Sequence, residues 1–263
     1  MQGVTETLTH AAIAETLAVQ AGALIRRHFL ASTAAVEIKS DGSPVTTADR
    51  EAEQFLRERI QALFPADTVI GEEFETRQGS SSYSWVLDPI DGTKSFVAGV
   101  PLFTVLIGLL CEGVPVAGVI HNPITFETVA ATSGFGCTYN GRPTRVRSCA
   151  SLDEALVLVT DPADLARRRP QFSDRLNRTA GQIRTWADGY GYLLVASGRA
   201  DAMIDPIMNS WDVAPMKPII TEAGGSWSDF SGNDSGLGDS AVAAGEVVHG
   251  RLLAWLTEDH RNA

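Results

Sequence analysis

The sequence is poor in cysteine and poor in positive charge. Only Cys111, Cys137 and Cys149 occur among 263 residues, and no two stand at C-x-x-C spacing. An odd, sparse set gives neither a disulfide framework nor a thiolate metal motif. A reducing cytoplasm suits such a chain. Lysine and arginine total 21 against 32 aspartates and glutamates, a formal net charge of −11. Nucleic-acid phosphate selects basic surfaces, so no nucleic-acid partner is expected. The short cluster Arg167-Arg168-Arg169 reads as a solvated face or loop. No unbroken apolar run reaches the ~20 residues of a membrane span. The N-terminus carries Glu6, His10 and Glu15, and lacks the basic start and apolar core of a signal peptide. The expectation is a soluble, cytoplasmic protein with no membrane partner.

Hydrophobic residues make up 44% of the chain, enough for a sizeable core in one large domain or two closely packed small ones. Leu8, Ala12, Leu17, Ala21, Leu24 and His28 recur at helical spacing, which predicts an amphipathic helix over 5–29. Thr46-Thr47 cap a second helix with Asp49 in its first turn, a stripe of Ala52, Phe55, Leu56, Ile60 and Leu63, and Pro65 past its end. DTVIGEE reads as a short strand ending in Glu72-Glu73. Leu102 to Val146 read as antiparallel strands packed on those helices, with turns at Glu112-Gly113 and Asn140-Gly141. Beyond Ser148 the pattern alternates. Strand ALVLVT precedes a polar helical stretch, helix WADGYGYLLVASG, strand ADAMID and helix WDVAPMKPIITEAGG. Strands GSWSDF and SAVAAG and a last helix follow. In the WDVAP helix, Pro215 fits a first turn and Pro218 should disturb the helix or delay its start. The class is layered α and β, with helices between sheets. A boundary near 147–152 divides the chain into 1–147 and 148–263.

The stretch WVLDPIDGTKSF, Trp85 to Phe96, concentrates the chemistry. A strand ending at Leu87 places Asp88 at its tip and Asp91 three residues on. Two close carboxylates repel each other, and bound cations offset that cost. Pro89 forces Asp88 into an extended conformation, and Gly92 lets backbone approach a ligand. Thr93 can cap a helix starting around Lys94-Ser95-Phe96, whose free N–H groups favour an anion such as phosphate. Mg²⁺ takes carboxylate oxygens and shares them with substrate phosphate. Taken alone, the stretch is equally an Asx-turn with a capping threonine. Glu72-Glu73, Asp49 and Asp212 add carboxylates at element ends, where ligand sites form.

GEE, then WVLDPIDGT, then WD about 120 residues later, resembles the inositol monophosphatase family of magnesium-dependent, lithium-sensitive phosphatases. The resemblance spans nearly the whole chain and includes Lys39, PVTTAD, GFGCTYNG and the helix ending EAGG. Haloacid dehalogenase-like phosphatases show D-x-D-G-T with a nucleophilic first aspartate. The D-x-x-D-G-T spacing here favours metal-held carboxylates and attack by water. The resemblance implies an α+β fold, a layered α-β-α-β-α sandwich, usually as a homodimer. It implies two or three Mg²⁺ per subunit and a small phosphate monoester as substrate. Glu72, Asp88 and the Ile90 carbonyl would hold the first ion, and Asp88, Asp91 and Asp212 the second. Glu72 and waters would hold a weaker third. Asp49 and Thr93 would form a hydrogen-bonded pair that orients and deprotonates the attacking water, with Glu73 supporting them. The N–H groups of Gly92 and Thr93 would bind phosphate. Lys39 is either part of the site or a solvated loop lysine.

The stretch Arg184 to Asp212 bears on the leaving group. Its R-x-W-x-D-x-Y-G-Y pattern resembles the histidinol-phosphate phosphatases of this superfamily, whose substrate carries an ammonium and an imidazole. An acidic residue facing the leaving group suits a cation. Asp188 is the specificity candidate, Asp205 a second wall and Asn209 an imidazole partner. Asp188 reads otherwise as a helix-start carboxylate, and Trp186, Tyr190 and Tyr192 equally as core. Alternative readings are a broad inositol or sugar monophosphatase, and a non-catalytic phosphate-binding protein of the same fold.

Overall fold

The computed structural model describes residues 2–31, 35–38, 44–186 and 188–261, so Lys39 and Ala187 lie outside the described residues. Helix α1 (Gln2–Ala31) is followed by a two-stranded ribbon, β1 (Val36–Ile38) with β2 (Pro44–Thr46), and by α2 (Thr47–Leu63). Ala14, Leu17, Ala18, Ala21 and Ile25 follow the i, i+3, i+4, i+7, i+11 pattern of one face of α1, and all are buried. They meet Ala52, Leu56 and Ile60 of α2 and one face of a large sheet. By length and mean hydropathy α1 could cross a membrane, which counting unbroken apolar runs did not anticipate. Its buried stripe instead makes it an outer layer of the fold.

The large sheet has seven strands in the order β3 (Thr68–Gly71), β4 (Tyr83–Asp91), β5 (Thr104–Cys111), β6 (Val114–Asn122), β7 (Glu127–Thr132), β8 (Gly136–Tyr139) and β9 (Arg142–Pro143). Only β3 and β4 run parallel. A one-turn helix, α3 (Thr93–Val97), links β4 to β5. Both expected turns form, with φ of 52° and 78° at Glu112-Gly113 and 48° and 72° at Asn140-Gly141, the paired positive values of a tight hairpin.

The second half carries β10 (Leu156–Val159), α4 (Pro162–Arg168), α5 (Pro170–Thr179), β11 (Gln182–Arg184), α6 (Gly189–Ala196), β12 (Ala202–Asp205), α7 (Ser210–Glu222), β13 (Ser226–Ser228), β14 (Ala241–Ala244) and α8 (Glu246–Arg261). Its five strands order as β11-β10-β12-β14-β13. Alternation along β10 sends Val157 and Val159 toward α4, α5 and α8, and Leu158 toward α6 and α7. The same alternation on β5 sends Val105, Ile107 and Leu109 toward α1 and α2, and Leu106 toward α6 and α7. The layers are therefore α1/α2, the large sheet, α6/α7, the small sheet, and α4/α5/α8: the α-β-α-β-α sandwich expected. The helix expected from Trp186 starts only at Gly189, and the polar stretch before it ends in the short β11.

The expectation for the two prolines is corrected. Helix α7 starts at Ser210 and runs through both Pro215 and Pro218, with Pro215 beyond its first turn. Each proline removes a helical N–H donor at a cost of roughly 3 kcal/mol in an exposed helix. Here α7 lies between two sheets with Val213, Met216, Ile219 and Ile220 buried, and that packing offsets the loss. Gly108 and Gly118 face each other across β5 and β6 beneath it. A Cβ on Gly108 would lie 2.9 Å from Ala214 Cβ, and one on Gly118 would overlap the Pro215 carbonyl. This bare strip lets α7 approach the sheet and brings its N-terminus over the end of β4.

Candidate active site

In a regular strand, residues three apart point to opposite faces. Asp88 and Asp91 do not, because β4 does not end at Leu87 as expected. It continues to Asp91 through a bulge. Asp88 pairs with Leu106 and Asp91 with Thr104, so three steps on β4 match two on β5. The extra residue resets the alternation. Leu87 and Ile90 face the α1/α2 core, while Asp88 and Asp91 face α6 and α7. Pro89, which cannot donate to a ladder, sits inside the bulge that tolerates it.

Carboxylate oxygens of Asp88, Asp91 and Asp212 come within 4.8 Å of one another. Asp212 is delivered by the first turn of α7, where its Oδ2 accepts the Asn209 N–H at 2.7 Å. Glu72 follows β3, and its N–H extends the ladder to the Leu87 carbonyl at 3.2 Å. Together with Ile90, Gly92, Thr93, Lys94, Asp188, Asn209 and Trp211 these residues line one cavity of about 220 Å³. Gly92 sits at φ 85° and caps α3, a position where a side chain would be strained and a Cβ would lie 2.9 Å from Asp188 Oδ2. This corrects the reading of Thr93 as the cap. Thr93 is instead the first residue of the helix, and its Oγ1 donates to the Ile90 carbonyl at 3.0 Å.

The expected Asp49–Thr93 hydrogen bond is not made. Asp49 Oδ2 accepts the Thr46 N–H at 2.7 Å and the Thr46 hydroxyl at 2.5 Å, a reciprocal cap of α2. Asp49 Oδ1 is buried without a hydrogen-bond partner. Asp205 is also displaced from its expected place. It does not line the cavity but lies buried behind it, accepting the Ile207 N–H at 3.3 Å. Glu73 does not line the cavity either; its N–H donates to Glu53 Oε2 at 2.8 Å. Asp188 does reach the cavity, from a backbone at φ 56° and ψ −154°, a conformation non-glycine residues rarely hold. The next residue fixes it there, since the Gly189 N–H donates to Asp91 Oδ2, which also accepts the Thr104 hydroxyl. Tyr192 is wholly buried core, whereas Tyr190 bonds Glu127.

Five carboxylates against one lysine line this cavity, and burial raises the pKa of the four aspartates, with mutual repulsion adding to it at Asp88, Asp91 and Asp212. Burial, then Glu72, Asp91 and Asp212, pushes Asp88 well above the usual carboxylate range. Burial, then Asp188 and Asp212, does the same to Asp91. Burial also pushes Asp212 and Asp49 up to about 6, with Glu72 adding to both. Asp188 is pushed to about 6 by burial, moderated by Lys94. Asp88 Oδ1 is buried and has no partner. An orphaned oxygen among converging hard donors fits a hard divalent cation and would otherwise be an unpaid desolvation cost.

Sequence reasoning missed Glu53, Thr104, Lys94 and Trp211. Lys94 and Trp211 adjoin motif residues, so their neighbours were the signal. Glu53 stands one helical turn after Asp49 on the same face. Thr104 had no signal, since only the pairing of β5 with the bulge brings it to Asp91.

A profile of the inositol monophosphatase family matches residues 6–262. A histidinol-phosphatase from Chlorobaculum parvum is 40% identical over 250 residues, covering 94% of this chain and 96% of that protein. A histidinol-phosphatase from Mycobacterium tuberculosis is 36% identical over 252 residues, covering 93% and 96%. Among solved structures, a Thermotoga maritima IMPase superposes with a TM-score of 0.87 at 28% identity, covering 97% of this chain and 99% of that one. Sequence and fold agree from end to end, and the chain belongs to the inositol monophosphatase family of metal-dependent phosphatases.

Proposed function

We propose that this protein hydrolyses histidinol phosphate to histidinol and phosphate with Mg²⁺, as a cytoplasmic homodimer. The observation that carries the substrate reading is Asp188. A carboxylate held at a strained φ faces the cavity beside Gly92, where a neutral polyol could donate hydroxyl hydrogen bonds but would form no ion pair. An ammonium group would. The names of the Chlorobaculum and Mycobacterium relatives support the same substrate.

Glu72, Asp88 and the Ile90 carbonyl would hold one ion, and Asp88, Asp91 and Asp212 a second. Glu72 would serve a third, weaker one. Bound there, the ions supply the positive charge that a phosphoryl transition state and its leaving oxygen require. The N–H groups of Gly92 and Thr93, at the start of α3 where no helical partner exists, bind the phosphate oxygens. Thr46 holds Asp49 Oδ2, and the buried, unpartnered Oδ1, which lies outside the cavity lining, would accept the proton of the attacking water, with Thr93 orienting that water. Burial holds the Asp49 carboxyl above the ordinary carboxylate range, which makes it a better proton acceptor than a free aspartate. Asp188 pairs with the substrate ammonium and Asn209 with its imidazole. Asp205 lies behind the cavity and does not reach the substrate, and Glu73, beside Glu72 in the same turn, supports it. The first half of the chain, 1–147, thus supplies most cation ligands, and 148–263 reads the leaving group.

The test is phosphate release from a panel of monoesters with and without Mg²⁺. Histidinol phosphate should have the highest kcat/KM, and EDTA should abolish turnover. A preference for inositol 1-phosphate would replace the substrate reading with a broader polyol phosphatase. Turnover in EDTA, or a phosphorylated Asp88, would overturn the mechanism.

A further inference from the structure

Helix α2 carries Asp49, Glu53 and Arg57 one turn apart on one face. Glu53 is fully buried, and its Oε1 accepts Arg57 Nε at 2.6 Å. A buried ion pair is weak evidence for stability, because a well-packed apolar pair of similar volume often does as well. What distinguishes this one is the backbone it holds. Glu53 Oε2 accepts the Glu73 N–H at 2.8 Å, and Arg57 Nη2 donates to the Phe74 carbonyl at 3.0 Å. Arg57 also lies over the Phe74 ring, 5.8 Å from its centroid. Both ends of the pair thus grip the turn that immediately follows Glu72. On the other side, the Glu72 N–H is fixed to the Leu87 carbonyl of β4. The residue before Glu72 is Gly71, and a Cβ there would overlap the Glu53 carboxylate. Glycine at 71 is required by the space that Glu53 occupies, since its φ is not in the left-handed region.

We propose that the Glu53–Arg57 pair is a positioning device that holds Glu72 in its cation-binding pose before any ion arrives. The inference rests on Glu72 being a cation ligand. Glu72 opens the turn that follows β3, and the backbone on both sides of its carboxylate is held, by Leu87 at its own N–H and by Glu53 and Arg57 at Glu73 and Phe74. The same helix face also carries Asp49, capped by Thr46 one turn earlier, so a single rigid element sets both the proposed base and the Glu72 turn. Outer partners of metal ligands typically contribute ~10–100-fold in metal affinity.

The test reads Mg²⁺ binding calorimetrically on the full chain without substrate, in wild type, Glu53→Ala, Glu53→Gln and Gly71→Ala. Gly71→Ala keeps both charges but fills the space of the Glu53 carboxylate, and it serves where Glu53→Ala does not fold. Glu53→Ala and Gly71→Ala should each weaken Mg²⁺ binding by roughly tenfold. Glu53→Gln keeps an acceptor oxygen for the Glu73 N–H and should shift binding less, by roughly threefold. Unchanged Mg²⁺ affinity in Gly71→Ala, alongside a lowered Tm, would reduce the pair to a purely structural role and overturn the inference. An equal loss in Glu53→Gln and Gly71→Ala would also overturn it, because the retained acceptor would then count for nothing. If wild type itself binds no Mg²⁺, it is the proposed function that fails, and the two failures are separate.

Discussion

Replacing Asp188 by asparagine separates recognition of the leaving group from the cation site. The side chain keeps its size, and asparagine tolerates positive φ as readily as aspartate, so the 56° backbone is retained. The negative charge on the cavity wall is lost. A charge-assisted hydrogen bond in a partly buried site contributes ~1.5–3 kcal/mol, which at ~1.4 kcal/mol per decade is about one to two decades in kcat/KM. The assay is phosphate release from histidinol phosphate and from inositol 1-phosphate at saturating Mg²⁺. Histidinol phosphate should lose roughly that factor, and the uncharged polyol should be nearly unaffected. A second readout is pH. Asp188 titrates near 6, pushed up by burial and moderated by Lys94. The wild-type preference should therefore change as pH falls through about 6 in a way that the Asp188→Asn preference does not, the variant's own pH dependence reporting only the substrate imidazole. Titration of the proposed base and cation ligands affects both substrates and cancels in the ratio. Equal losses on the two substrates would refute the argument, because Asp188 would then be supporting the fold or its neighbour Asp91.

Asp91→Asn should remove most activity while leaving a folded protein, and without Mg²⁺ its Tm should equal or exceed wild type, since one of several repelling carboxylates is gone; circular dichroism during heating checks this. The pH dependence of stability without Mg²⁺ has a definite sign. Asp49, Asp188 and Asp212 titrate near 6 and Asp205 near 8, all raised, so their contribution is complete below the ordinary carboxylate range and is lost as pH rises through about 6 to 8. Tm measured in EDTA should fall from pH 5 to pH 8, and added Mg²⁺ should raise Tm more at pH 8 than at pH 5; a Tm in EDTA that climbs across this range contradicts the electrostatic account. Gly118→Ala forces a methyl into the Pro215 carbonyl and should cost about 1–3 kcal/mol of stability by denaturant unfolding. Because α7 carries Asp212, that variant should also bind Mg²⁺ more weakly.

Much of the site was legible in the linear sequence. D-x-x-D-G-T, GEE and WD announced the carboxylates, the Thr46–Asp49 start of α2 could be read from capping chemistry, and the Asn140-Gly141 hairpin from turn chemistry. These are local signals, set by residues within a few positions of each other, and local propensity reports them directly. What it did not give were several details that depend on a partner distant in sequence. Spacing alone puts Asp88 and Asp91 on opposite faces of a strand, and only the register of β5 opposite a bulge turns them to the same side. Proline preferences put a disturbance or a late start where α7 runs on unbroken, because they take no account of two sheets packed on it or of the Gly108–Gly118 strip beneath. Asp205 follows a strand as plainly as Asp88 does, yet packing places it behind the cavity. Glu53 looks like any helical glutamate until the fold buries it against the Glu72 turn. The sequence by itself determined which groups carry the chemistry. The tertiary structure decided which of them meet, because the direction of a side chain is set by pairing and packing across the chain rather than by its neighbours along it.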